Sequence, residues 1–89
     1  MIDEIKKIMC NMTDFLCEKN KRYGNSIQWK TGIFNKSRVF DQITVRIDDK
    51  LARIANSQEL RKNDVVDLAG YLILLCINEG WTDFSDLID

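Results

Sequence analysis

The chain contains no histidine, and that single absence removes much of the chemistry open to a small protein. Serine and cysteine nucleophiles are left without their usual general base. The three cysteines, Cys10, Cys17 and Cys76, form no CxxC pair. Neither a zinc site nor a disulfide framework is therefore expected, and the odd count reads as reduced thiols packed on apolar helix faces in a cytoplasm. No Walker motif and no GxGxxG occurs, which leaves no nucleotide fingerprint of the usual kind. Charge of one sign is also missing: 13 basic and 14 acidic residues leave a formal −1. Such a balance gives no field to hold a long nucleic acid, although local clusters can bind small anions. The longest apolar stretch, Leu68 to Ile77, is far short of the eighteen or so residues a bilayer requires, and the first residues, MIDEIKK, are charged. The expected protein is soluble, with no membrane partner. Its 89 residues make one small helical domain, 1–89, with one core. A domain of this size buries only about 60–65% of the surface its unfolded chain exposes. Self-association is the natural further source of stability.

The richest stretch is NDVVDLAGYLILLCINEG, Asn63 to Gly80. It is apolar nearly all round, which marks the central helix of a domain, yet Asp64, Asp67 and Tyr71 fall on one face at helical spacing. The carboxylate of Asp67 is thus expected to lie away from bulk water, where it needs a partner. Asn63 is the expected cap and Gly80 the expected stop of this helix.

Upstream, Ile5, Ile8, Met9, Met12, Phe15 and Leu16 recur with the period of an amphipathic helix running from Ile2 to about Tyr23. Asp3 and Glu4 open it and Lys19, Lys21 and Arg22 close it, matching the helix dipole, and Gly24 supplies a stop. Residues 24–36 have no clean period. Ile27, Trp29, Ile33 and Phe34 in this segment can plug the end of a helical bundle or form part of a ligand site, and the sequence leaves both open. Ser37 can cap a second helix reaching about Asn56, with Phe40, Ile43, Ile47, Leu51 and Ile54 at core spacing. Its β-branched run Ile43 to Val45 lowers helix propensity without breaking the period. Arg46, Asp49, Lys50 and Arg53 populate its polar side, either as a solvated face with intrahelical pairs or as contacts to phosphate. SQELRK, Ser57 to Lys62, reads as a polar connection. The tail WTDFSDLID reads as one more helical turn nucleated at Thr82, with Trp81, Phe84, Leu87 and Ile88 packed across the bundle or on another subunit. The fold class is all-α: a bundle of three main helices plus a short C-terminal helical turn, assembled as a homo-oligomer.

Two aspartates spaced i, i+3, Asp64 and Asp67, can hold Mg²⁺ together with waters and substrate phosphates, and Arg46, Lys50 and Arg53 can contact phosphate directly. Equally, Asp67 can pair with an arginine or lysine of the second helix. YGNS after a basic helix end, then ITVRIDDKLARI, then NDVVDLAGYLILL, resembles the nucleotide-modification-associated domain, a family of small helical proteins of phages and bacteria. The likeness extends over roughly residues 19–77, with a more distant similarity to the all-α nucleotide pyrophosphohydrolases. It implies a nucleotide pocket lined by Arg46, Asp49, Lys50 and Arg53 on one helix and Asp64, Asp67 and Tyr71 on the next. Tyr23, Gly24, Asn25 and Ser26 would form its mouth, with Tyr23 or Trp29 stacking on the base. All-α pyrophosphohydrolases also carry a glutamate-rich ExxE motif opposite their ExxD motif, to hold Mg²⁺ over the scissile phosphates. No EExxE pattern occurs here, and Asp3, Glu4, Asp14 and Glu18 are too scattered to replace it. Metal-assisted hydrolysis then lacks its charge-neutralising set. Binding without turnover is the more economical expectation: a linear or cyclic nucleotide, no required cofactor, and Mg²⁺ as an optional companion. For a phage-encoded chain this implies sequestration of a defence signal in the host cytoplasm. A Mg²⁺-dependent phosphohydrolase and a structural or protein-interaction module are the alternatives.

Overall fold

The computed structural model describes residues 1–22 and 39–88, apart from the side chains of positions 20 and 22. The expectations for Tyr23, for the segment 24–36 and for the Ser37 cap lie outside the described residues. Within them the protein is all-helical: α1 (Ile2–Arg22), α2 (Val39–Asn56), α3 (Lys62–Glu79) and a 3-10 turn (Ser85–Leu87), with no strand. None of these helices is long and apolar enough to cross a membrane. The chain divides into two compact units, Met1–Lys30 and Thr31–Asp89.

In the first unit, α1 begins with Asp3 and Glu4, where negative charge offsets the positive end of the helix dipole. Near its other end the Lys19 ammonium sits 5.0 Å from the Phe15 ring centroid, one turn back. The expected apolar stripe is present in its periodicity, but it is covered unevenly. Met12 is buried and Phe15 and Leu16 are half-buried, whereas Ile5, Ile8 and Met9 are each more than half exposed. Cys10 and Cys17 are exposed rather than packed, because they fall on the side of the helix opposite Met12.

The second unit is built on α2 and α3, joined by five residues and packed on each other. So short a connection between neighbouring helices makes them antiparallel. The pairing of Lys50 with Asp67 then sets the register: Ile43 lies level with Leu74, Ile47 with Gly70, and Arg53 with Asp64. Ile43, Leu74 and Gly70 are buried along this seam, with Ile47 and Ile54 half-buried beside them. The covered stripe of α2 thus passes through Lys50 where the hydrophobic pattern predicts Leu51, which is 49% exposed, and Phe40 is 39% exposed. The helix continues through Ile43, Thr44 and Val45. Burial of Ile43 outweighs the few tenths of a kcal/mol that β-branched residues cost, and the Thr44 hydroxyl donates back to the Asp41 carbonyl at 3.1 Å.

α3 begins earlier than expected. Arg61 occupies the N-cap with extended backbone and makes no side-chain capping bond. Its carbonyl accepts from Val65 N–H at 3.3 Å, so Asn63 lies inside the first turn. Around α3 most apolar residues are at least half-buried, but Val65, Leu72 and Ile77 are exposed, so the helix is not enclosed on all sides among the described residues. At the other end Gly80 adopts φ +75°. Trp81 N–H donates to Cys76 O and Gly80 N–H to Ile77 O, the two bonds of a Schellman stop. Beyond it the tail does not pack across the pair: Trp81, Phe84, Leu87 and Ile88 are all exposed. Its turn is nucleated by Asp83 and not by Thr82, the Asp83 carboxylate accepting from Ser85 N–H at 2.9 Å. That bond holds the Asp83 carboxyl below the usual carboxylate range.

Since no atom lies within 4 Å of a Cβ built on Gly80, Gly80→Ala meets no clash and its cost is conformational alone. A loss of about 1–2 kcal/mol is expected in urea unfolding followed by circular dichroism.

Candidate functional site

The polar part of the α2–α3 seam starts with a single ion pair. Lys50 Nζ lies 3.2 Å from Asp67 Oδ2, and the two side chains retain 13% and 20% of their exposure. Asp67, the carboxylate that apolar surroundings oblige to find a partner, finds it across the interface. One turn further along α2, Arg53 Nε donates to Asp49 Oδ2 at 3.3 Å, with both side chains about half exposed. An exposed i, i+4 pair of this kind contributes only a few tenths of a kcal/mol. It engages the Nε edge of the guanidinium, whose terminal nitrogens carry four further N–H donors.

Arg53 also lines a cavity of about 550 Å³ at the turn between the helices. Asn56, Ser57, Gln58 and Glu59 form one wall, and Arg61 and Asp64 belong to the start of α3. The turn is tied by the Ser57 hydroxyl, which donates to the Glu59 carbonyl. Asp64 is the buried charged residue of the unit, 4% exposed. The first backbone N–H groups of α3 are uncapped by side chains. They add a partial positive charge to that of Arg53 and Arg61. The arrangement offers two guanidinium groups and a helix start to an anion. A second cavity, of about 440 Å³, is lined by Val39, Phe40, Asn78 and Glu79 and has no basic side chain among the described residues of its wall.

The expected site residues therefore separate. Lys50 and Asp67 meet each other, Arg53 and Asp49 meet each other, and Arg53 and Asp64 share the cavity. Arg46 is exposed on α2, and Tyr71 is half-buried on α3. Tyr23, Gly24, Asn25, Ser26 and Trp29 lie outside the described residues. Among the described residues no three acidic, cysteine or histidine side chains gather as a metal-ligand group. Sequence reasoning passed over Arg61, Asn56, Ser57 and Gln58, because SQELRK reads as a mere link. The available signal was a run of hydrogen-bonding side chains ending in a basic residue just before a helix that has no serine, threonine or aspartate cap. Compared with known proteins, the chain matches no family model, no curated protein and no solved structure.

Removing Asp67 leaves the Lys50 ammonium without its counter-charge in a mostly covered interface. Asp67→Ala should lower unfolding free energy by about 2–4 kcal/mol. The double change Lys50→Met with Asp67→Leu should recover most of it. A denaturant double-mutant cycle measures both, and near-additivity of the two single losses would mean that the pair is not coupled.

Proposed function

We propose that this chain binds a phosphate-bearing nucleotide, or a signal derived from one, and holds it without turnover. The observation that carries the reading is the cavity at the α2–α3 turn, where Arg53 and Arg61 flank the uncapped start of α3. Arginine offers paired N–H donors that match phosphate oxygens, and a helix start adds further backbone donors. The resemblance of the ITVRIDDKLARI and NDVVDLAGYLILL stretches to the nucleotide-modification-associated domain supports the same ligand class. Lys50 and Asp67 act as the post that keeps the two helices in register beneath the site, so Asp67 is engaged by an ammonium and its role is to organise the pocket. In this reading Mg²⁺ is an optional companion of the phosphates. A phage-encoded protein of this type would act in the host cytoplasm by withdrawing a nucleotide defence signal.

The same reading includes self-association through α1. Ile2, Ile5, Ile8 and Met9 present an exposed apolar stripe on the N-terminal half of that helix, of the kind that marks an association surface. An antiparallel second copy suits its charges, since Asp3 and Glu4 would then lie towards the basic end, with Lys19 and Lys21, of the other helix.

Thermal unfolding against a panel of linear and cyclic nucleotides tests the binding. A ligand at 100 times its dissociation constant adds about 2.7 kcal/mol of stability, and Arg53→Ala and Arg61→Ala should each remove most of the shift while leaving the helical spectrum intact. No shift across the panel would favour a protein-interaction module. Release of phosphate in the presence of Mg²⁺, lost in Asp67→Ala, would replace binding by hydrolysis. For association, sedimentation equilibrium should show an oligomer that Ile5→Glu with Met9→Glu converts to monomer, and a monomeric parent chain would end that part of the reading.

A further inference from the structure

Within the self-association part of the reading above, on which this inference rests, we propose that α3 carries a second contact between copies, an antiparallel pairing of its outer face with the same face of a neighbouring chain. Lys62, Val65, Ala69, Leu72, Cys76 and Glu79 follow one another at alternating spacings of three and four residues. They therefore form a single stripe along the helix, the repeat of a coiled-coil seam. The stripe lies about half a turn around α3 from Asp67, Gly70 and Leu74, which lie on the α2 seam. Val65 and Leu72 are 40% and 46% exposed, and Ala69 and Cys76 are half-buried beside them. No charged residue interrupts the stripe between Lys62 and Glu79, both of which are exposed. The order of these residues specifies what covers them. A parallel neighbour would set Lys62 beside Lys62 and Glu79 beside Glu79, like charges at both ends. Reversed, the stripe is complementary to itself: Lys62 comes level with Glu79, Val65 with Cys76 and Ala69 with Leu72, and the series repeats about a two-fold axis. Each apolar side chain then meets another, alanine leaves room for leucine, and both ends close with opposite charges. The contact is small. Its four apolar side chains a copy, two of them short, fall below the about 800 Å² per partner of a standard interface. It therefore joins copies that α1 has already paired. Each such pair presents two α3 faces, and two contacts made together gain the effective concentration that one alone lacks.

Sedimentation equilibrium of the whole protein tests the pairing by mass, with circular dichroism to show that each variant is folded. Two different two-fold contacts on one chain link more than two copies, so the parent should exceed two chains. Leu72→Glu should reduce it to two while leaving the α1 stripe untouched. Lys62→Glu sets like charges together at both ends and should weaken the larger assembly by roughly tenfold, and adding Glu79→Lys should restore it, because the pair is then reversed and not removed. Direction is read by cross-linking in a background of Cys10→Ser and Cys17→Ser, since both of those thiols are exposed. There Val65→Cys comes level with the native Cys76 of the neighbour, and a short bismaleimide should join two chains, with a yield roughly tenfold lower when Val65 is kept. A mass that Leu72→Glu leaves unchanged would overturn the α3 contact and leave association through α1 standing. A monomeric parent would overturn both. Equal linking with and without Val65→Cys, or a charge swap that fails to recover the parent mass, would overturn the antiparallel register. If Leu72→Glu does not fold, the charge swap at the two exposed ends decides alone.

Discussion

The ion pair between Lys50 and Asp67 constrains everything else in the second unit. A carboxylate on a helix as apolar as α3 cannot be covered without a counter-charge. The only place α2 can supply one at the right height is its own covered stripe. Placing lysine there displaces Leu51 to the surface and fixes how far α2 can slide along α3. A purely aliphatic seam between two short helices tolerates shifts by a turn, since leucine and isoleucine fill each other's places at modest cost. One charged pair among aliphatic neighbours does not, because a slip of one turn parts the Lys50 ammonium from the Asp67 carboxylate. The pair thereby contributes register more than net stability, and register is what brings Arg53 level with Asp64.

From that alignment the cavity follows. Two turns of helix and a five-residue connection bring together residues of both charge signs that the ion pair leaves unused. The Asp49 carboxylate steadies Arg53 without neutralising it in a buried sense, both partners being about half exposed. Arg61 gains its position from being the last extended residue before α3, with its own carbonyl already engaged by Val65. Chemical capacity thus gathers at a helix start, where unsatisfied backbone donors concentrate.

Much of this could be read in the residues beforehand, for reasons that differ from place to place. The three helices follow from apolar spacing, and the left-handed stop at Gly80 follows from the one residue type that adopts positive φ without strain. That Asp67 requires a counter-charge from α2 follows from the polarity of its neighbours. The choice of Lys50 over Arg46 or Arg53 does not, because it depends on the crossing of the two helices, which no single helix encodes. The N-cap of α3 is Arg61, two residues before Asn63, since capping chemistry favours asparagine while the backbone adopts helix at Lys62 without any side-chain cap. The tail's apolar content predicts a cover but does not say whether that cover belongs to the same chain, and within the chain Trp81, Phe84, Leu87 and Ile88 are exposed. The cavity wall escaped notice for a related reason: Asn56, Ser57 and Gln58 have no periodicity, and their significance arises only when the turn folds back towards Asp64.

The shortness of the α2–α3 connection also has a kinetic meaning. All the named walls of the cavity come from Arg53 to Asp64, a stretch in which every contact is close in sequence. Little loop-closure entropy stands between the unfolded chain and this corner, and helical hairpins with such local contacts form in microseconds to milliseconds. Residues 58–61 of the turn are exposed whereas Ile43 and Leu74 are buried, so exchange of the turn's amide hydrogens is expected to be faster than in the Ile43–Leu74 region. A ligand seated between Arg53 and Arg61 would act as a clasp on that turn, converting a fast-exchanging corner of the hairpin into one of its slowest to exchange.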